Sequence, residues 1–488
     1  MIFFIRTVPD QRAAPEERVG DDMRILLIQP DYDPGPVGFR LVAMPEPLAL
    51  ELLAGTVPQH EVRILDLRVE PNLEQTLAAF DPELVAVTAL TTEVYAAQEI
   101  LQKVKLLSPD AFTIVGGHHA TLVPEDFQLP CVDAICQGEG EFVFPQLVEA
   151  LQTGQSLCAV PNLLWRDEDD GFVQNGREAP PTGADFIPTP RRDLVAAYRH
   201  AYSWLWDRPD TAIATSRGCP YRCNFCSVWE FYQGRTRQMS AARVLEEIAA
   251  AHTRHITFLD DNFLLNARRE AEIADRIQAQ GIQVHWGMEC RADSIVRHPE
   301  LVERWAGLGL ENVLLGLEGI SDEALQNINK QNTVAINDEA IRVLQANGVL
   351  IWGAFIVDPS WTAEQFRALR DYIDAKWITH LQVTVLTPLP GTRLYGQRRA
   401  ELLTDDYTCF DTLHAVLPTR LPREQFYQQI AALYERPNLA PIEHYLREGR
   451  ITMEAARFGR RVYRQFSRWQ AYAERDPILG RQAACYGV

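Results

Sequence analysis

From Met23 onward, short apolar runs alternate with amphipathic stretches, a pattern that predicts βαβ units and a parallel sheet. The runs RILLIQP (24–30), EVRILDL (61–67), LVAVTAL (84–90), FTIVGG (112–117) and AICQGEG (134–140) each end in polar or glycine-rich residues. Between them, PLALELLAGTV (47–57) and VYAAQEILQKVKLL (94–107) repeat apolar residues at steps of three and four, the period of a helix with one buried face. Five strands of this kind predict a Rossmann-like domain over residues 23–150. Sheets of this type bind ligands outside the carboxyl ends of their strands, so GGHHATLVPE (116–125) and GEGE (138–141) are the candidate binding loops.

Residues 151–208 carry Pro, Asp and Gly with little period, including DEDDG (167–171) and APPTG (179–183), and read as a linker. A second series then begins: TAIATSR (211–217), HITFLDD (255–261), QVHWGME (283–289), NVLLGLEG (312–319), LIWGAFIVD (350–358) and HLQVTVLTPLPG (380–391). Helical segments such as AARVLEEIAAA (241–251) and DEAIRVLQANG (338–348) fall between them. Six strand–helix repeats predict a partial (β/α)6 barrel over 209–395, with functional residues at the carboxyl ends of its strands. Beyond it, 396–488 reads as a helical C-terminal region rich in Arg and aromatics, whereas 1–22 is polar without period and reads as a disordered extension. The fold class is therefore α/β.

Composition narrows the function. At 488 residues the chain exceeds what one core usually supports, and 47% hydrophobic with 23% charged residues is ordinary for a globular protein. A net charge of −19 argues against a nucleic-acid partner, which would need a basic surface. The nine cysteines are odd in number and scattered. With no secretory signal ahead of them they suggest a reducing, cytoplasmic setting rather than a disulfide framework. The opening MIFFI is too short for a signal or a membrane span.

The decisive chemistry is in TSRGCPYRCNFCSVWEF (215–231), where Cys219, Cys223 and Cys226 are spaced C-x3-C-x2-C directly after the first barrel strand. Thiolates select zinc or iron–sulfur iron. Three of them cannot close a structural zinc site, and His200, His252 and His255 stand at no zinc spacing. Three are enough to hold a four-iron cluster with one iron left open.

This motif, with the aromatic Phe225 immediately before its last cysteine, resembles the radical S-adenosylmethionine (SAM) superfamily. The resemblance implies that SAM chelates the open iron and that one electron cleaves it to a 5′-deoxyadenosyl radical, which abstracts hydrogen from unactivated carbon. It also implies that Phe225, Asp261, Glu318 and Pro388 bind SAM. Acidic residues at strand ends, such as Asp260, Asp261 and Glu318, also serve as ordinary helix caps, and Pro388 with Pro390 also shapes turns.

A Rossmann-like domain ahead of such a barrel resembles the cobalamin-dependent branch of that superfamily. Thr91, Gly116, Gly117, His118, Gly138 and Glu139 are the cobalamin-binding positions implied, glycine letting the backbone approach a bulky ring. No D-x-H-x-x-G motif is present, and Asp66-Leu67-Arg68 is the nearest approach, so no histidine from that motif is expected below cobalt. The alternative is a degenerate domain that only packs. His118 and His119 also fit as polar loop residues.

At finer grain CNFCSVWEFYQGRTRQMSAARV (223–244), FLDDNFL (258–264) and LHAVLPTRLPREQFY (413–427) look like the hopanoid C-3 methylases. The implied reaction is methyl transfer through methylcobalamin to an unactivated sp3 carbon. The implied partners are an apolar lipid substrate and a one-electron donor such as flavodoxin or ferredoxin. Trp229, Phe231 and Tyr232 could wall such a substrate or simply pack the core. The basic, aromatic run 457–476 could touch anionic headgroups at the inner membrane face, or be a solvated helix covering the barrel. Lone cysteines such as Cys409 and Cys485 are more often inert than catalytic. Competing readings are a radical SAM enzyme that oxidises, cyclises or methylates a tetrapyrrole or another lipid, and a non-catalytic cobalamin or cluster sensor, for which no output module is visible.

Overall fold

The computed structural model describes residues 22–479 except 33–34, 36, 168–170, 207–208, 252, 379, 436–445 and 448–451. The amino-terminal extension up to residue 21, His252 and Cys485 lie outside the described residues.

The first sheet has seven strands: β1 (Arg24–Gln29), β2 (Glu61–Asp66), β3 (Leu84–Thr88), β4 (Phe112–Gly116), β5 (Ala134–Cys136), β6 (Leu163–Arg166) and β7 (Phe172–Gln174). Their order is β2-β1-β3-β4-β5-β6-β7. The first five are parallel, as the alternation of strands and helices requires. In β1 the central ILLI is wholly buried, Ile25 and Leu27 joining the core on one face and Leu26 and Ile28 the core on the other. The strand order reverses between β1 and β3, and such a reversal opens a ligand crevice at the carboxyl ends.

The sheet is larger than the five strands expected. Residues 163–174, inside the stretch read as a linker, add β6 antiparallel to β5 and β7 antiparallel to β6. Runs of four and three residues carry no periodic signal of their own. They become strands because the open edge of β5 offers unpaired backbone groups, which the hairpin covers.

The second sheet holds β8 (Asp210–Ile213), β9 (His255–Phe258), β10 (His285–Arg291), β11 (Leu310–Glu318), β12 (Leu350–Val357) and β13 (His380–Val385), all parallel and in sequence order. This is a partial barrel with two edges. At β8 the Ala212 N–H donates to Glu46 Oε1 (3.1 Å). At β13 the Val383 N–H donates to Tyr434 Oη (2.9 Å) and the Val385 N–H to the Thr412 carbonyl (2.7 Å). The amino-terminal unit thus caps one edge and the C-terminal region the other.

The C-terminal region is helical at Arg423–Glu435, Met453–Phe466 and Trp469–Ala473. The middle helix starts where the Thr452 hydroxyl accepts from the Ala455 N–H, a standard cap. It buries Ala455, Ala456, Phe458, Val462 and Phe466, with Ala455 and Ala456 against Leu350 at the start of β12. Arg457, Arg460, Arg461 and Arg464 form its outer, exposed stripe.

Buried charge fastens the two sheets together. Arg192, 5% exposed, reaches Glu46 Oε1 at 3.1 Å and Glu247 Oε2 at 3.2 Å and donates to the Ala212 carbonyl at 2.7 Å. Arg217 pairs with Glu141 at 3.0 Å, and Arg237 with Glu139. Residue 192 therefore belongs to the interface, not to a free connector.

Candidate active site

Two cavities meet at the carboxyl ends of the two sheets. One, of about 320 Å³, lies inside the barrel and is lined by Phe225, Asp261, Glu289, Arg291, Glu318 and Lys330 among others. The other, of about 480 Å³, lies between the sheets, with Gln29, Arg68, Thr88, Gly117, His118 and Glu139 in its wall. Asp261 lines both. Its carboxyl is pushed up to about 6, chiefly by burial and next by the neighbouring Asp260.

The cysteine loop leaves β8 and folds over the barrel mouth. Gly218, at φ 82°, turns the chain just before Cys219. The Cys226 N–H donates to the Cys223 carbonyl (3.3 Å), and the Trp229 indole donates to the same oxygen (2.9 Å). None of the three thiols is in a disulfide. Burial pushes the Cys226 thiol up to about 12 and raises that of Cys219. The Arg291 guanidinium approaches the Cys223 sulfur (Nη1 to Sγ 3.9 Å) while held by Asp293 (2.8 Å) and the Lys330 carbonyl (2.7 Å). Among the described residues no three His, Cys, Asp or Glu side chains, these thiols included, converge on a single-ion site. Three thiols on one short loop are enough to hold a four-iron cluster with one iron left open.

The carboxyl ends of β1, β3 and β4 build the interface cavity. Gly117, at φ 97°, turns β4 into the helix His118–Leu122, and a Cβ there would stand 2.7 Å from Thr88 Oγ1 and 2.9 Å from the Ala89 nitrogen. His118 stacks on Phe231, ring centroids 4.5 Å apart, and shares a 3.1 Å hydrogen bond with Ser227, the residue after Cys226. Burial pushes its imidazole down to about 4. Arg68 occupies the place of the histidine in D-x-H; Asp66 holds it (2.7 and 2.8 Å), and it donates to the Pro45 carbonyl (3.1 Å). A guanidinium has no lone pair for a metal. A left-handed glycine and a cavity at the strand reversal fit a large planar ring.

The radical SAM superfamily model matches residues 213–373 and the B12-binding domain model residues 24–148. The hopanoid C-3 methylase of Methylococcus capsulatus is 34% identical over 397 residues, covering 79% of this chain and 75% of that protein. The chain belongs to the cobalamin-binding radical SAM family. An uncharacterized methyltransferase of Pyrococcus horikoshii is 30% identical over 463 residues, 91% of this chain and 99% of its own. In fold, this member is similar to the cobalamin-dependent S-adenosylmethionine radical enzyme OxsB, solved with aqua-cobalamin and SAM: TM-score 0.67, 16% identity, 95% of this chain and 80% of that one. It is a cobalamin-dependent radical SAM methyltransferase, and its cofactors are a 4Fe–4S cluster, SAM and cobalamin.

Of the SAM positions expected, Phe225, Asp261 and Glu318 line the barrel cavity of this radical SAM enzyme. Pro388 is buried between two lining residues, Thr387 and Leu389, and is not itself in the wall. Glu318 sits on a β-bulge at φ 62° and is paired with Lys330 at 2.8 Å. Asp260, by contrast, is structural, accepting from the Thr215 backbone N–H (3.1 Å) and hydroxyl (2.8 Å). On the cobalamin side Gly116, Gly117, His118, Gly138 and Glu139 line the interface cavity. Thr91 does not; its hydroxyl meets His119 Nδ1 at 3.2 Å, and His119 Nε2 meets Asp126 at 2.9 Å, so that pair braces the loop from behind. Phe231 and Tyr232 line the interface cavity, whereas Trp229 packs beneath the cysteine loop. Cys409 is buried beside Phe410 and Val416, its thiol pushed up to about 11, as expected of an inert packing residue.

Sequence reading missed Glu289, Arg291 and Lys330. Glu289 faces the barrel cavity and is pushed up to about 8 by burial, with Asp261 and Asp260 adding to it. The signal available was the carboxyl end of β10, where ECR follows the alternating run HWGM.

Proposed function

We propose that this enzyme methylates an unactivated sp3 carbon, C-3 of a hopanoid, with Cys219, Cys223 and Cys226 holding the cluster. The observation that carries the reading is the wall shared at Asp261: a carbon lying there is within reach of both the barrel cavity and the interface cavity. The substrate class rests on the similarity to the hopanoid C-3 methylase. When bound, the cluster and SAM supply a hydrogen-abstracting radical and cobalamin a transferable methyl group.

The chain's own residues do the positioning. Phe225, Asp261 and Glu318 would hold SAM in the barrel, and the 116–118 and 138–139 segments would seat the corrin ring, while Arg68 in the same wall has no lone pair to offer a metal. The apolar side chains Leu48, Leu52, Leu53, Phe144 and Phe231 exclude water from the cavity between the sheets, which suits a hydrocarbon substrate. On the domain scale, 23–150 carries cobalamin and 209–395 carries the cluster and SAM. The arginine stripe of the Met453–Phe466 helix is a peripheral contact for anionic headgroups, made by charge alone because the apolar face of that helix is spent on the barrel. No helix among the described residues is long and apolar enough to cross a membrane.

The test is expression in a hopanoid-producing host that lacks methylated hopanoids, with lipid extracts read by mass spectrometry. A C-3-methylated hopanoid is expected. Folded, cluster-loaded protein with no methylated hopanoid would refute the substrate assignment.

A further inference from the structure

The cysteine loop carries a surface that the reaction does not use. Arg222, between Cys219 and Cys223, and Arg393, the first residue of the helix Arg393–Arg398, are both exposed, and both lean on one ring. Their guanidinium carbons lie 5.9 Å and 4.6 Å from the centre of the Trp229 indole. That indole is 7% exposed and donates to the Cys223 carbonyl. Glu230 lies close enough to Arg393 and Arg222 to feel both charges, one carboxylate beside two guanidinium groups.

The patch is held rigidly. Asn329 donates to the Arg222 carbonyl (2.6 Å), Asn224 donates to the Asn327 carbonyl (2.9 Å), and the Leu394 N–H donates to the Asn224 carbonyl (2.9 Å). The helix bearing Arg393 is thereby clamped to the loop bearing Arg222.

A chain of net charge −19 repels an acidic protein everywhere except at local basic patches. One such patch is the arginine stripe on Met453–Phe466 and another is the Arg222–Arg393 face. The helix Met453–Phe466 meets the start of β12 with Ala455 and Ala456 in its first turn, at the end of that strand opposite the cysteine loop. The Arg222–Arg393 patch touches the cysteine loop itself.

We propose that the face formed by Arg222 and Arg393 over Trp229 is the docking site of an acidic one-electron carrier protein of the flavodoxin or ferredoxin class. The inference rests on the reading that Cys219, Cys223 and Cys226 hold the cluster. One electron leaves the reduced carrier, which is oxidised by one unit, and arrives on the cluster, which is reduced by one unit. No bond or proton moves at the docking face. Trp229 bridges the surface to the backbone of a cluster ligand.

The experiment mixes reconstituted holoenzyme with fully reduced flavodoxin in a stopped-flow spectrometer at low and high salt, and measures binding of oxidised flavodoxin to the same proteins by surface plasmon resonance. For the unaltered enzyme both rate and affinity should fall with salt. The variant R222E/R393E should lose about tenfold or more in both and lose the salt dependence, while titanium(III) citrate still reduces its cluster normally. The variant R460E/R461E should match the unaltered enzyme. If R222E/R393E fails to load iron, R222Q/R393Q is read in its place, with a severalfold loss expected. Unchanged rate and affinity in the arginine-loop variant, or an equal loss in R460E/R461E, would overturn the docking site. Absence of iron from the unaltered enzyme would instead refute the cluster assignment.

Discussion

The two sheets build their cavities by different means. The amino-terminal sheet opens space with backbone turns at Gly117 and Gly138, at a strand reversal, and charged residues in that wall are paired across the seam, Glu139 with Arg237 and Glu141 with Arg217, or with a neighbour, Arg68 with Asp66. The barrel works with side chains, as strand ends deliver Asp261, Glu289, Arg291, Glu318 and Gln382 into a smaller volume. A cavity shaped by backbone suits a large rigid ring held by shape, whereas a charged cavity suits a zwitterion that must be held by its ends. The seam between them is neither: it is ion-paired through Arg192, Arg217 and Arg237. Replacing residues on each side, and then in the seam, should therefore give different failures.

The largest effect falls on the barrel side. Replacing Cys219, Cys223 and Cys226 with Ala should remove all iron from anaerobically reconstituted protein and abolish SAM cleavage, checked by iron analysis and 5′-deoxyadenosine release. Thermal stability of the protein without iron should change little, because the barrel core of Phe258, Trp286 and Trp305 does not include them.

In the seam, R192A leaves Glu46 buried without its cation and takes one of two from Glu247, which keeps Arg243, a loss on the order of 3 kcal/mol. Denaturant unfolding should show the midpoint moving down and the two sheets losing cooperativity. R192K, which keeps charge but not the fork, should recover part of it.

On the amino-terminal side, G117A forces a Cβ against Thr88 and Ala89 at a left-handed φ. A cost of about 1–3 kcal/mol is expected. Cobalamin affinity, followed by its absorbance, should fall while iron loading stays intact.

The smallest effect is electrostatic. Burial lowers the His118 pKa from 6.5 to about 4, so the folded protein holds the neutral ring. The sign follows from linkage: the unfolded chain takes up the proton first, so stability is complete above about pH 6.5 and is lost as pH falls toward 4. H118N should flatten the stability profile in that window by on the order of 1 kcal/mol, measured on apoprotein.

Much of this comparison is legible in the sequence, and the reasons are local. The barrel strands are continuous apolar runs, and Cys219, Cys223 and Cys226 lie within eight residues of one another, so a soft-ligand motif is visible in the spacing. The glycine loops are legible because a turn at a strand end restricts residue type. What stays hidden is non-local. Arg192 sits in a stretch without period, and only folding brings it between Glu46 and Glu247. Leu163–Arg166 becomes a strand only because β5 has an open edge. Thr91 appeared to be a ligand position, yet it spends its hydroxyl on His119. Glu289 lay in an alternating strand pattern in which one face is normally core, and the barrel interior makes that face a cavity wall.

The most direct test of the account is an anaerobic turnover with methyl-deuterated SAM, the reconstituted enzyme, a hopanoid and reductant, with and without cobalamin. The account expects label in the hopanoid only when cobalamin is present, with 5′-deoxyadenosine and S-adenosylhomocysteine formed in equal amounts. Accumulation of 5′-deoxyadenosine without S-adenosylhomocysteine, at the same rate whether or not cobalamin is added, would contradict it.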